Sequence, residues 1–81
     1  MGADDLDRKW NGIARALLVG RRIVEVGYMT REEAAGLGWT RRPLVIVLDD
    51  GTTLHAASDD EGNAAGALFT SNAAHPILPV L

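Results

Sequence analysis

The stretch Arg42-Pro-Leu-Val-Ile-Val-Leu48-Asp-Asp-Gly51-Thr-Thr-Leu-His-Ala-Ala57 decides the fold, because it contains two strand signals separated by a turn signal. Pro43 lacks an N–H, which does least harm at the start of a strand. Leu44 to Leu48 are apolar at every position, which predicts a central strand covered on both faces. Asp50-Gly51 predicts a type I′ hairpin turn, since both central residues of that turn need positive φ. Thr52 to Ala57 then alternate as the returning strand. Leu54 and Ala56 are expected to face the core, and His55 to face solvent beside Thr53 and Ala57.

Upstream, Arg22-Ile-Val-Glu-Val-Gly-Tyr-Met29 alternates, with Val24, Val26 and Tyr28 on one face and Glu25 and Gly27 on the other. Thr30-Arg-Glu-Glu33 is a capping box that starts a short helix, continued by Ala34 and Ala35 and ended by Gly36 and Gly38. Trp39, just past that stop, is expected to plug one end of the core. Further upstream, Leu6, Trp10, Ile13 and Leu17 fall on one helical stripe that should pack on the body. Asp4 or Asp5 would cap that helix and Gly20 would stop it.

Downstream, Ser58 to Asn63 interrupts the strand pattern. Ala67-Leu-Phe-Thr70 reads as a short strand, Thr70 to Pro76 as a loop, and Ile77 to Leu81 as a last strand. Pro79 puts that last strand at an edge. The fold expected is mainly β within the α+β class. An N-terminal helix over residues 1–20 precedes a five-stranded antiparallel meander over residues 21–81. The meander would be a Src-homology-3-like barrel or a curled sheet, and residues 1–81 form one domain.

The totals agree with one small globular domain. The chain has 81 residues, 47% hydrophobic and 23% charged, and no cysteine to form a disulfide or a thiolate metal site. Its longest apolar runs fall far short of the roughly 20 residues of a membrane helix. The acidic start does not resemble a secretion signal, so a soluble cytoplasmic protein is expected, with no membrane association. Net charge is −3 and the eight basic residues are dispersed, which argues against nucleic acid as a partner.

A meander places the charges. Arg21 and Arg22 should lie at one end with the Asp49-Asp50 turn. Arg41 and Arg42 should lie at the other end, beside Asp59, Asp60 and Glu61. The loop from Asp59 to Asn63 has the oxygen ligands that calcium or magnesium prefers, and Asp59, Asp60, Glu61 and Asn63 are the candidate metal ligands. It lacks the ligand spacing of an EF-hand, and Asp, Gly and Asn are equally favoured by turns. Gly62 and Gly66 lack the lysine and following helix of a phosphate-binding loop. A serine–histidine–aspartate set can be written from Ser71, His75 and Asp49, without any nucleophile elbow to support it. The aromatic set is Trp10, Tyr28, Trp39 and Phe69, expected in the core. Two aromatics sharing a groove would instead make a docking site.

Three runs together carry a resemblance: Tyr28-Met-Thr-Arg-Glu-Glu-Ala-Ala-Gly-Leu-Gly-Trp39, Arg42-Pro-Leu-Val-Ile-Val-Leu-Asp-Asp-Gly51, and Ser58-Asp-Asp-Glu-Gly-Asn-Ala-Ala-Gly-Ala-Leu-Phe69. Over residues 21–81 the chain resembles a family of small uncharacterised bacterial proteins. The resemblance implies a shared fold and supplies no activity. The function expected from the residues is a non-enzymatic interaction module, with no cofactor, binding a protein partner or a second copy of itself. Trp10, Trp39, Arg41 and Arg42 are its candidate contacts. The alternative is weak divalent-cation or small-anion binding through residues 58–63.

Overall fold

The computed structural model describes residues 3–57 and 65–81. A helix α1 (Ala3–Leu18) leads into strand β1 (Ile23–Tyr28), a short helix α2 (Arg31–Gly36), and strands β2 (Leu44–Leu48), β3 (Thr53–Ala57), β4 (Ala67–Thr70) and β5 (Ile77–Leu78). All five strands form one antiparallel sheet in the order β1-β2-β3-β4-β5, the meander expected from the short connections.

The sheet stays open, with β1 and β5 as its two edges, so of the two forms expected for residues 21–81, a barrel or a curled sheet, the closed barrel does not form. Leu44–Leu48 is also not the central strand. It lies second from the edge, its first residue is exposed and the next three are only half-buried, while β3 holds the centre. An unbroken apolar run says that a strand is wanted inside; which strand becomes central depends on what pairs beyond it.

The β2–β3 turn falls where the sequence puts it, but its type differs. Gly51 has φ +87°, whereas among the described residues none other than glycine, and so not Asp50, has positive φ, which rules out type I′. The Gly51 N–H donates to Leu48 O and the Leu48 N–H to Thr52 O, the pattern of a three-residue loop closed by a glycine bulge. Asp50 braces it. Its Oδ1 accepts from the Thr52 N–H at 3.0 Å, and its Oδ2 lies 3.4 Å from Arg21 Nε. The Asp49 N–H donates to Arg22 O. The basic pair and the acidic turn therefore meet at this end, as the meander requires.

α2 is built as its sequence dictates. Thr30 Oγ1 accepts from the Glu33 N–H, and Glu33 Oε1 accepts from the Thr30 N–H. At the far end Gly38 has φ +78°, its N–H donates to Ala35 O, and the Trp39 N–H donates to Ala34 O. This is a Schellman motif, and it needs a residue free to adopt left-handed backbone at position 38. The motif turns the chain back so that Trp39 follows directly on Ala34, which is 1% exposed.

The buried apolar residues are Met29, Ala34, Leu48, Leu54 and Leu78, a small core for this length. Strand pairing sorts the sheet into two faces. Val45, His55, Phe69 and Ile77 share one face, and Trp39 packs on it. Tyr28, Val26, Leu44, Ile46, Leu54, Leu68 and Leu78 share the other. On α1, Trp10, Ile13 and Leu17 are half-buried while Leu6 is exposed, and the contact that ties the expected stripe to the body is made by Trp10. Trp10 meets the ring of His75 edge-on at 6.2 Å, which places that part of α1 beside the β4–β5 connection.

Candidate functional site

Two places collect chemistry-bearing side chains. The first is the aromatic cluster beneath α2. His55 lies between Trp39 and Phe69, with ring centroids at 5.7 and 5.3 Å and interplanar angles of 77° and 67°. These edge-on contacts suit aromatic quadrupoles. The expectation that His55 faces solvent is thus overturned: its side of the strand is the side that Trp39 covers. Alternation distinguishes two faces of a strand, but it does not say on which one a distant tryptophan folds down. Nε2 of His55 is buried and has no hydrogen-bond partner among the described residues. Beside this cluster lies an open depression of about 460 Å³, lined by Arg31, Ala34, Trp39, Thr40 and Arg42.

The second place is β1 and the adjoining part of β2. Every residue of β1 is exposed. Tyr28, expected in the core, is 69% exposed, and Val26 and Leu44 on the same face are 47% and 40% exposed. A bulge between Ile23 and Glu25 changes the phase of the strand. Ile23 pairs with Leu48 and so joins the face of Val26 and Tyr28, while Val24 becomes the extra residue. The expected grouping of Val24 with Val26 and Tyr28 gives way to Ile23, Val26 and Tyr28, an aliphatic and aromatic stripe with Ile23 61% exposed. Glu25 projects from the opposite face, and its Oε1 accepts from the Val26 N–H at 3.0 Å. The Met29 N–H donates to Pro43 O, so hydrogen bonding to β2 falls on alternate residues and the Val26 N–H points off the sheet. Glu25 therefore occupies a donor on the free edge.

Two carboxylates have lowered pKa values. The Thr30 backbone N–H and then its hydroxyl hold Glu33 below its ordinary value. Asp50 is held down chiefly by the Thr52 backbone N–H and then its hydroxyl, with a smaller contribution from Arg21. Glu33 belongs to the cap of α2 and Asp50 to the brace of the β2–β3 turn.

Of the candidate partner contacts, Trp39 and Arg42 line the depression, Arg41 is exposed nearby in sequence, and Trp10 contacts a different histidine. Lys9 Nζ lies 5.3 Å from the Trp10 ring centroid. Asp59, Asp60, Glu61 and Asn63 lie outside the described residues, as does Gly62. Among the described residues no three His, Cys, Asp or Glu side chains form a group that could hold a metal. Ser71 Oγ accepts from the Thr53 N–H at 2.8 Å, and its own N–H donates to Thr53 O, which closes the β3–β4 ladder. His75 is held through its backbone, its N–H donating to Asn72 Oδ1 and its carbonyl accepting from Thr70 Oγ1. Asp49, the acid of the serine–histidine–aspartate set, lies in the β2–β3 turn with its N–H donating to Arg22 O, and among the described residues no hydrogen bond joins it to Ser71 or His75.

The sequence reading overlooked the apolar stripe. A usable signal was present: the first strand of an open meander is an edge by construction, so its apolar side chains have a neighbour on one side only. Among the described residues no helix is long and apolar enough to cross a membrane. Comparison with protein-family models, with curated proteins and with solved structures finds no match for the chain.

Proposed function

We propose that the protein is a non-enzymatic interaction module that docks a protein surface through the face of β1 and β2. The observation that carries this reading is the stripe Ile23, Val26, Tyr28 and Leu44, four large apolar side chains exposed along one face. Contiguous apolar surface rimmed by polar residues marks docking surfaces, whereas isolated exposed aliphatics do not. Tyrosine at the end of the stripe suits that role, since it brings a large contact area with few rotatable bonds. The stripe contains no charged residue, which favours a protein over a nucleic-acid partner.

The test is a photo-crosslinking amino acid placed at Tyr28, with a second chain carrying it at the exposed Ala16 of α1 as control. A discrete adduct from position 28, missing from position 16, is the expected result. No adduct at position 28, or the same adducts from both positions, overturns the reading.

A further inference from the structure

We infer that the occupant of the β1–β2 face is a second copy of this chain, packed face to face about a two-fold axis; this rests on the docking role proposed above. The chain carries more surface than its size requires. The chain exposes 5956 Å², whereas a compact monomer of 8.6 kDa exposes about 4,700 Å². The excess of about 1,200 Å² comfortably covers the roughly 800 Å² per partner that a standard stable interface buries. Its radius of gyration, 13.8 Å, exceeds the approximately 12 Å expected for a compact domain of this length. This chain is short of cover, and a copy of itself would supply about two-thirds of what is missing.

Cover is missing on one side of the sheet. Trp39 lies on the His55 face, and α1 approaches at the β4–β5 connection through Trp10. What stays open is the β1 side of the other face, where Ile23, Val26, Tyr28 and Leu44 lie on neighbouring strands. A two-fold axis brings such a patch against itself, and an uncharged stripe meets its own copy without repulsion. Glu25 would spoil such a contact from that face, but it projects from the opposite one.

The face of β1, rather than its edge, is the surface open to a partner. An extended peptide or a second β1 adding to the sheet would need the outward Val26 N–H, and the Glu25 carboxylate already accepts from it. Edge strands are commonly blunted by charge in this way. The exposed face has no such guard, so two sheets packing roughly 10 Å apart is the arrangement left open.

The experiment is sedimentation equilibrium of the full chain from low micromolar to submillimolar concentration, with Tyr28→Glu and Leu37→Glu as variants. Leu37 is exposed and off the stripe, so it controls for a generic added charge. Amide correlation spectra establish that both variants fold. The parent is expected to rise with concentration from 8.6 kDa toward twice that mass. Tyr28→Glu should weaken dimerisation at least about tenfold, since a charge would be buried without a partner. Leu37→Glu should leave it unchanged. A parent that stays at the mass of one chain throughout overturns the inference, as do equal effects of the two variants. The crosslinker at position 28 separates the two levels of failure. A single heterologous adduct retains the docking face and replaces the occupant, and no adduct removes both.

Discussion

His55→Phe is expected to make the protein more stable, an unusual outcome for a substitution at a packed position. The parent keeps Nε2 buried without a hydrogen bond among the described residues. An unsatisfied buried polar group costs about 1–3 kcal/mol, whereas an apolar group of the same shape escapes that cost. His55 as a whole is only half-buried, so the low end applies, a gain of about 1 kcal/mol. The edge-on contacts to Trp39 and Phe69 survive, because a phenyl ring presents the same edge and face. At the usual unfolding entropy per residue, 1 kcal/mol corresponds to about 6 °C in melting temperature for a chain of this size. His55→Ala is the opposing control. It loses both ring contacts and leaves a gap, for a loss of about 2 kcal/mol, or roughly 12 °C. Thermal unfolding followed by circular dichroism at neutral pH measures both. A folded His55→Phe protein that melts at or below the parent temperature would refute the reasoning, by showing that Nε2 has a partner such as an ordered water.

Three further outcomes are expected. Thr30→Ala removes the cap of α2 and should cost about 1 kcal/mol in urea unfolding, with an unchanged dependence on denaturant concentration. Gly38→Ala should cost about 1–2 kcal/mol in the same assay, because position 38 holds left-handed backbone even though a Cβ there would meet nothing within 4 Å. Stability should fall in acid. Glu33 and Asp50 sit below their ordinary values of 4.5 and 3.8, so the folded protein binds fewer protons than the unfolded chain. Their contributions are complete above those values and decline as pH drops through and below them. A melting temperature that is level from neutral pH down to pH 3 would contradict this.

Local chemistry was legible in the sequence. The capping box at Thr30 and Glu33, the glycine stop at Gly38, the hairpin at Asp50-Gly51 and the Arg21–Asp50 approach all follow from residues close in sequence or from strand order. What the sequence concealed depends on elements that meet from afar. Whether the meander closes depends on curvature accumulated over all five strands, which no single strand encodes. The environment of His55 was set by Trp39, sixteen residues earlier, folding onto its side of β3. Tyr28 reads as core because tyrosine in an alternating strand usually is; its exposure follows from β1 having no neighbour beyond it. The turn type was missed at Asp50, whose side chain braces the loop without its backbone entering the left-handed region.

The irregularity in β1 gives that strand an unusual sensitivity. Its sidedness is kept by counting: the bulge before Glu25 absorbs Val24 and sets Ile23 opposite Leu48. Swapping one aliphatic for another there leaves the count intact. Losing Val24 removes only the supernumerary residue, so Ile23 would precede Glu25 directly and stay opposite Leu48. Losing Gly27 would also remove the bulge, but Val26 and Glu25 would then change sides and bring a carboxylate onto the stripe. In this segment the strand has one letter to spare, and which letter is dropped decides what the stripe presents.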